Sequence, residues 1–146
     1  MENRPAVLYD GRCAFCVAQA RRLERWVGAG VDWYSFRDAG VLERYPRISA
    51  EECERAMQLV EPDGRVFSGA EAVARLLARR RLLRPLARVY YLPFLRPVFD
   101  RAYAWVARNR FRLGGRCEGE FCHLHDGERR PQRGPSGRRA SAPTVE

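Results

Sequence analysis

The sequence predicts an α/β fold of three layers, with strands and helices in the order βαβαββα and extra helices at the C-terminal end. Three observations carry that expectation. A short apolar run, Pro5 to Tyr9, stops at Asp10-Gly11 and passes straight into a segment of helical period. An Asp-Gly pair, Asp63-Gly64, separates two strand-like runs, the strongest short signal for a hairpin. Apolar residues make up 46% of the 146, the share of an ordinary globular chain of about one domain, which excludes wholesale disorder and a rod.

Each element has its own local cause. Pro5-Ala-Val-Leu-Tyr9 lacks polar alternation, the pattern of a strand covered on both faces. From Cys13 the period changes: Cys16, Ala20, Leu23 and Val27 fall at helical spacing, with Arg21, Arg22, Glu24 and Arg25 on the other side. That helix stops at Gly28 and Gly30. Val31 to Phe36, β-branched and aromatic, is the second strand. Ser49-Ala-Glu-Glu52 has capping-box spacing and opens a helix to about Ala56, in which Cys53 reads as a small core residue. Met57 to Glu61 and Arg65 to Ser68 are strands three and four. Ser68-Gly-Ala-Glu71 repeats the capping spacing before a helix whose apolar side is Ala70, Val73, Leu76 and Leu77.

Pro85 and Pro93 break the pattern beyond it, so residues 82–94 should form a helical turn or two between kinks. Leu95, Val98, Phe99, Ala102 and Val106 mark a last amphipathic helix to about Arg112, ended by Gly114-Gly115 and expected to pack on the sheet or extend the core. The chain thus divides into a domain over residues 1–113, a Cys/His-containing segment over 114–126, and an aperiodic Arg/Pro/Gly/Ser tail over 127–146 expected to be disordered.

Net charge is +9, and its excess lies in residues 79–112, which hold ten Arg and a single acid, Asp100. Every basic residue is Arg, a bias that genomic composition explains better than repeated phosphate recognition. The same stretch carries Tyr90, Tyr91, Phe94, Phe99, Tyr103, Trp105 and Phe111. It is either a basic module for an anionic membrane surface or nucleic acid, or a helix pair with aromatics in the core and arginines in solvent. The second is the plainer expectation. No uncharged stretch approaches the roughly 20 apolar residues of a spanning helix. With no basic-then-apolar leader near Met1, the expected location is the cytoplasm.

The sharpest chemical feature is Cys13-Ala14-Phe15-Cys16 at a strand-to-helix junction, which in a cytosolic chain reads as a thioredoxin-like redox motif. Unpaired N–H groups at the helix start would favour a Cys13 thiolate, making Cys13 the attacking sulfur. Cys16, one turn on and on the apolar side, would resolve the mixed disulfide. Arg12 adds a positive charge beside the nucleophile. Asp10, if turned inward, would be desolvated into a proton carrier of raised pKa; otherwise it shapes the turn or bonds the first N–H groups. Serine-hydrolase, P-loop and dinucleotide-binding signals are missing from the sequence.

Tyr9-Asp10-Gly11-Arg12-Cys13-Ala14-Phe15-Cys16 resembles the signature of the DCC family of predicted thiol-disulfide oxidoreductases, named for the Asp and the two Cys. Pro62-Asp-Gly-Arg-Val-Phe-Ser-Gly-Ala-Glu-Ala72 is similar to the family's hairpin-and-helix segment, and Tyr103-Ala-Trp-Val-Ala-Arg-Asn-Arg-Phe-Arg112 to its C-terminal helix. The resemblance spans about residues 5–113. It implies a thioredoxin-like fold and an active site of Asp10, Cys13 and Cys16. The chemistry expected of the motif is that of a protein-disulfide reductase without a cofactor beyond a redox-active Cys13–Cys16 disulfide. One departure concerns docking: thioredoxins place a cis-proline just before the third strand, whereas Glu54-Arg55-Ala56 stands here before Met57.

The partners expected on this reading are a disulfide-bearing protein or small molecule and a dithiol electron donor. Peripheral membrane contact is the alternative for the basic segment, and nucleic acid is not expected. Cys117, Cys122, His123 and His125 form a low-ranking zinc candidate of non-standard spacing, for a zinc-stabilised structural protein. The two cysteines are otherwise a second redox pair or idle thiols.

Overall fold

A computed structural model describes residues 4–114. The zinc candidates Cys117, Cys122, His123 and His125 and the 127–146 tail lie outside the described residues. The elements run β1 (Ala6–Tyr9), α1 (Ala14–Val27), β2 (Asp32–Ser35), α2 (Val41–Arg44), α3 (Ala50–Arg55), β3 (Gln58–Val60), β4 (Val66–Ser68) and α4 (Gly69–Ala78). A 3-10 turn (Arg81–Leu83), α5 (Arg84–Tyr90) and α6 (Arg96–Gly114) follow.

The four strands lie in the order β2-β1-β3-β4, with β1 parallel to β2 and antiparallel to β3, and β3 antiparallel to β4. Alternation along β1 splits the core in two. Ala6 and Leu8 join Phe36, Val41, Tyr45, Ile48 and Cys53 from the α2–α3 side. Val7 joins Val27, Leu59, Ala72 and Leu76, so α1 and α4 cover the opposite face. Helix, sheet and helix make three layers, a thioredoxin-like α/β fold. With Leu8 and Leu59 wholly buried, cutting either to alanine costs about 2–5 kcal/mol.

The four strands at their expected places in the chain, the antiparallel hairpin and the Ser49–Glu52 capping box are as expected: Glu52 N donates to Ser49 Oγ at 3.2 Å and Ser49 N to Glu52 Oε2 at 2.8 Å. Other expectations are corrected. Ser68 does not cap α4 through its side chain, because its Oγ receives Gln58 Nε2 at 3.1 Å, while Glu71 pairs with Arg75 and Arg96. On α1 the buried stripe is Val17, Ala20, Leu23 and Val27, and Cys16 is only half-buried. Pro85 does not break a helix but starts one, at the first turn of α5 where its missing N–H has no partner to lose.

The largest correction concerns the C-terminal helices, since the aromatics are not uniformly core. Tyr90 is buried, yet Phe94 is 86% exposed, Trp105 58% and Tyr91 45%. In α6, Val98 and Phe99 are exposed and the one buried residue is Arg110. The helix packs on α1 and α4 rather than on the sheet. The physical reason is that the inner stripe of the helix, where Tyr103 and Val106 are half-buried, also carries Arg110 and covers a polar site at that end.

Candidate active site

Chain direction puts the cysteines where β1 ends and α1 begins. Asp10 closes the strand, Gly11 and Arg12 turn, and Cys13 is the N-cap of α1 in extended conformation. Gly11 is needed for space: a Cβ there would stand 2.5 Å from Ser35 Oγ at the end of the neighbouring β2. Cys13 Sγ accepts the Cys16 N–H at 3.2 Å, the bond expected of an oxygen at a helix cap. A sulfur there faces the positive end of the helix, which favours the thiolate.

Cys13 is wholly buried and Cys16 half-buried, and both are free thiols. The Cys13 thiol is lowered from its ordinary value to about 7. Donation from the Cys16 thiol is the main cause, opposed by burial and assisted by the Cys16 N–H and the Arg110 guanidinium, with Asp10 acting against it. Cys16 moves far upward, because Cys13 accepts its proton and burial disfavours a second charge. One sulfur is thus held ready to ionise while its neighbour keeps its proton. The third described cysteine, Cys53, is buried in the α2–α3 core with its thiol pushed up to about 11 by burial.

Asp10 turns inward and is 2% exposed. Arg37 meets it with both arms of its guanidinium, Nε to Oδ1 at 2.7 Å and Nη2 to Oδ2 at 3.3 Å, and the Arg12 N–H donates to Oδ1 at 3.0 Å. Burial alone would raise the carboxyl. The Arg37 pair, the Arg12 N–H and the more distant Arg110 outweigh it and hold Asp10 below its ordinary value. The carboxylate is therefore a fixed anion that organises the turn, and not the proton carrier of raised pKa considered from the sequence. The Arg12 side chain is exposed, and only its backbone joins the site.

Helix α6 closes the site from above. Arg110 Nη1 approaches Cys16 Sγ at 3.8 Å and its Nη2 lies 3.9 Å from Asp10 Oδ2. One turn on, Gly114 lies against Phe15 of the Cys-x-x-Cys turn, where an added Cβ would come 2.6 Å from the Phe15 Cβ. Two turns back on the same stripe, the Tyr103 hydroxyl accepts the Met57 N–H at 3.1 Å. The backbone edge before β3, where the missing proline leaves room, is thus occupied from within.

Arg37 and Arg110 escaped the sequence reading. Among 27 arginines neither stands out by composition, and Arg37 is 27 positions from its partner. The trace of Arg110 is its spacing: Phe99, Tyr103, Val106 and Arg110 share one helical stripe, so any inward-facing α6 carries a guanidinium with it.

A Cys-x-x-Cys at the first turn of α1, over a mixed sheet of this order, defines a thiol redox protein of thioredoxin-like fold. The match to known families agrees: the chain belongs to the DCC1-like thiol-disulfide oxidoreductase family, whose model covers residues 7–116. No curated protein and no solved structure matches it. Among the described residues no helix is long and apolar enough to cross a membrane, and no three His, Cys, Asp or Glu cluster as metal ligands.

Proposed function

We propose that the protein is a thiol-disulfide oxidoreductase of protein-disulfide reductase type, working in the cytoplasm with no cofactor beyond its own Cys13–Cys16 couple. The observation that carries this is the Cys13 sulfur at the helix cap, receiving both the Cys16 N–H and the Cys16 thiol. Cys13 attacks one sulfur of a substrate disulfide, and the other leaves as a thiolate with the bonding electron pair. Cys16 then attacks Cys13, forming the internal disulfide and freeing the second substrate thiolate. A dithiol donor returns the pair to the reduced form. Because Cys13 is fully buried when reduced, the first attack requires the covering segment to give way.

The test is a glutathione redox titration with alkylation and peptide mapping. Cys13 and Cys16 should interconvert as a couple, with Cys13 the faster thiol to alkylate at neutral pH. A Cys13→Ser variant that keeps full disulfide-exchange activity would overturn the reading.

A second reading is favoured by exposure. Leu82 (88%), Phe94 (86%) and Trp105 (58%) stand out from a segment with ten Arg and one acid, the chemistry of a face that docks on an anionic membrane surface.

A further inference from the structure

The second half of a dithiol exchange asks more of Cys16 than the resting state does. Once Cys13 is held in a mixed disulfide, it no longer takes the Cys16 proton, and Cys16 must ionise in a half-buried site to attack. The groups that face it are Cys13 on its own helix, Asp10 from the end of β1, and Tyr103 and Arg110 from α6. Asp10 is an anion and opposes a Cys16 thiolate. Tyr103 is uncharged, its own ionisation pushed up by burial. Arg110 is the cation among them, its side chain only 10% exposed and its Nη1 3.8 Å from Cys16 Sγ.

A charge count sharpens the point. Asp10 is met first by Arg37 at 2.7 Å, and Arg110 stands farther from the same carboxylate, at 3.9 Å, so that this anion matches it only in part. Glu54, which also pairs with Arg37, belongs to the exposed rim. A guanidinium that is buried without a matching anion is costly. The remaining groups in reach that can supply the anion are the two sulfurs, one at a time: Cys13 at rest, Cys16 in the mixed disulfide.

We infer that Arg110 is a catalytic residue of the resolving step, holding Cys16 Sγ as the thiolate that attacks Cys13; the inference rests on the Cys13–Cys16 redox reading above. In that step the Cys16–Cys13 S–S bond forms and the bond from Cys13 to the substrate sulfur breaks. The two cysteines are oxidised together by two electrons. The substrate sulfur leaves with the electron pair and takes up, through solvent, the proton that Cys16 gave up.

The chromogenic disulfide dithiobis(nitrobenzoate) separates the two steps, because each releases one coloured thiolate. The experiment uses full-length reduced protein carrying Cys117→Ser and Cys122→Ser, with Cys16→Ser to mark the first release alone. An opposite charge within about 4–6 Å lowers an acid's pKa by at least about one, so its loss reduces the thiolate fraction about tenfold. In Arg110→Gln the second release should slow about tenfold at pH 7 and its pH midpoint should rise by about one, with the first release within about threefold. Arg110→Lys, which keeps the charge, should recover most of the rate. Equal slowing of both releases, or no slowing of the second, overturns the inference.

If Arg110→Gln does not fold, Cys13→Ala still decides, since it leaves α6 intact. Cys16 should then alkylate with a midpoint that rises by about one when Arg110→Met, an apolar side chain of similar length, is added, and an unmoved midpoint overturns the inference. A protein with Arg110 in place that stalls after one release, its Cys13 still in the mixed disulfide, refutes the redox reading itself.

Discussion

Replacing Cys16 with alanine removes the largest influence on the Cys13 thiolate, the neighbouring S–H donor, and leaves the helix cap and Arg110 in place. With the thiol at about 7, half of Cys13 is thiolate at pH 7. If loss of the donor returns it to the ordinary value of about 8.5, the thiolate share falls to about 3%. The rate does not fall in proportion. A more basic thiolate is a better nucleophile, with a Brønsted coefficient of about 0.4–0.5, so each remaining thiolate reacts about fivefold faster. Alkylation by iodoacetamide at pH 7 should therefore slow only about threefold. The limiting rate at high pH should rise about fivefold, and the midpoint of the pH profile should move up by about 1.5. The midpoint is the decisive quantity, because a change in access to the sulfur scales the whole curve without moving it. Following Cys13 by mass, which keeps Cys53, Cys117 and Cys122 out of the signal, gives that midpoint directly. A midpoint unmoved by Cys16→Ala would mean that the helix terminus and Arg110 hold the thiolate by themselves, and would refute any role of the Cys16 proton in stabilising it.

Three further outcomes are expected. Asp10→Asn strips Arg37 and Arg110 of their buried anion and should cost about 3 kcal/mol in urea unfolding at pH 7, the low end for a broken buried pair because Arg37 is 29% exposed. Since the folded Asp10 is held below its ordinary value, this contribution is present above the unfolded carboxylate range and lost as pH falls through the depressed folded value, so the stability difference between the native protein and the Asp10→Asn variant should shrink in acid. Gly114→Ala drives a Cβ to 2.7 Å from the Phe15 backbone N, a contact that only movement of α6 relieves; Cys13 alkylation should accelerate fivefold or so with little change in midpoint, and an unchanged rate would mean that this end of α6 does not cover the thiol. Sedimentation with vesicles rich in anionic lipid should carry down the protein at low salt, and Phe94→Ser together with Trp105→Ser should abolish this; binding that ignores both salt and the two substitutions would remove the membrane reading.

Local signals explain why most of the scaffold could be read directly from the chain. The Asp63-Gly64 turn, the Ser49–Glu52 capping box and the apolar run of β1 each act over a few residues, and each is where its spacing put it. The Cys13–Cys16 turn belongs to the same class, because its chemistry follows from a strand ending where a helix starts. The short α2, Val41–Arg44, carried no such signal; it begins at Gly40 with a left-handed backbone and no side-chain cap, and a single turn is too brief for a period to show.

What could not be read is the set of groups that reach the sulfurs from far along the chain. Arg37 and Arg110 are conferred on the site by tertiary packing, and an apolar pattern marks the stripe of Phe99 and Val106 without showing that Tyr103 and Arg110 on the same stripe meet the site. The amphipathic reading of α6 selected Val98 and Phe99, which solvent reaches, for the reason that it treats burial as a search for apolar surface. Here burial serves the dithiol instead. A helix that only sealed a core would gain more from leucine at position 110 than from a guanidinium, whose desolvation costs several kcal/mol unless an anion meets it. Asp10 is already met by Arg37, so the arginine at that inward position has its physical reason in the sulfur beneath it, and α6 belongs to the site as much as to the fold.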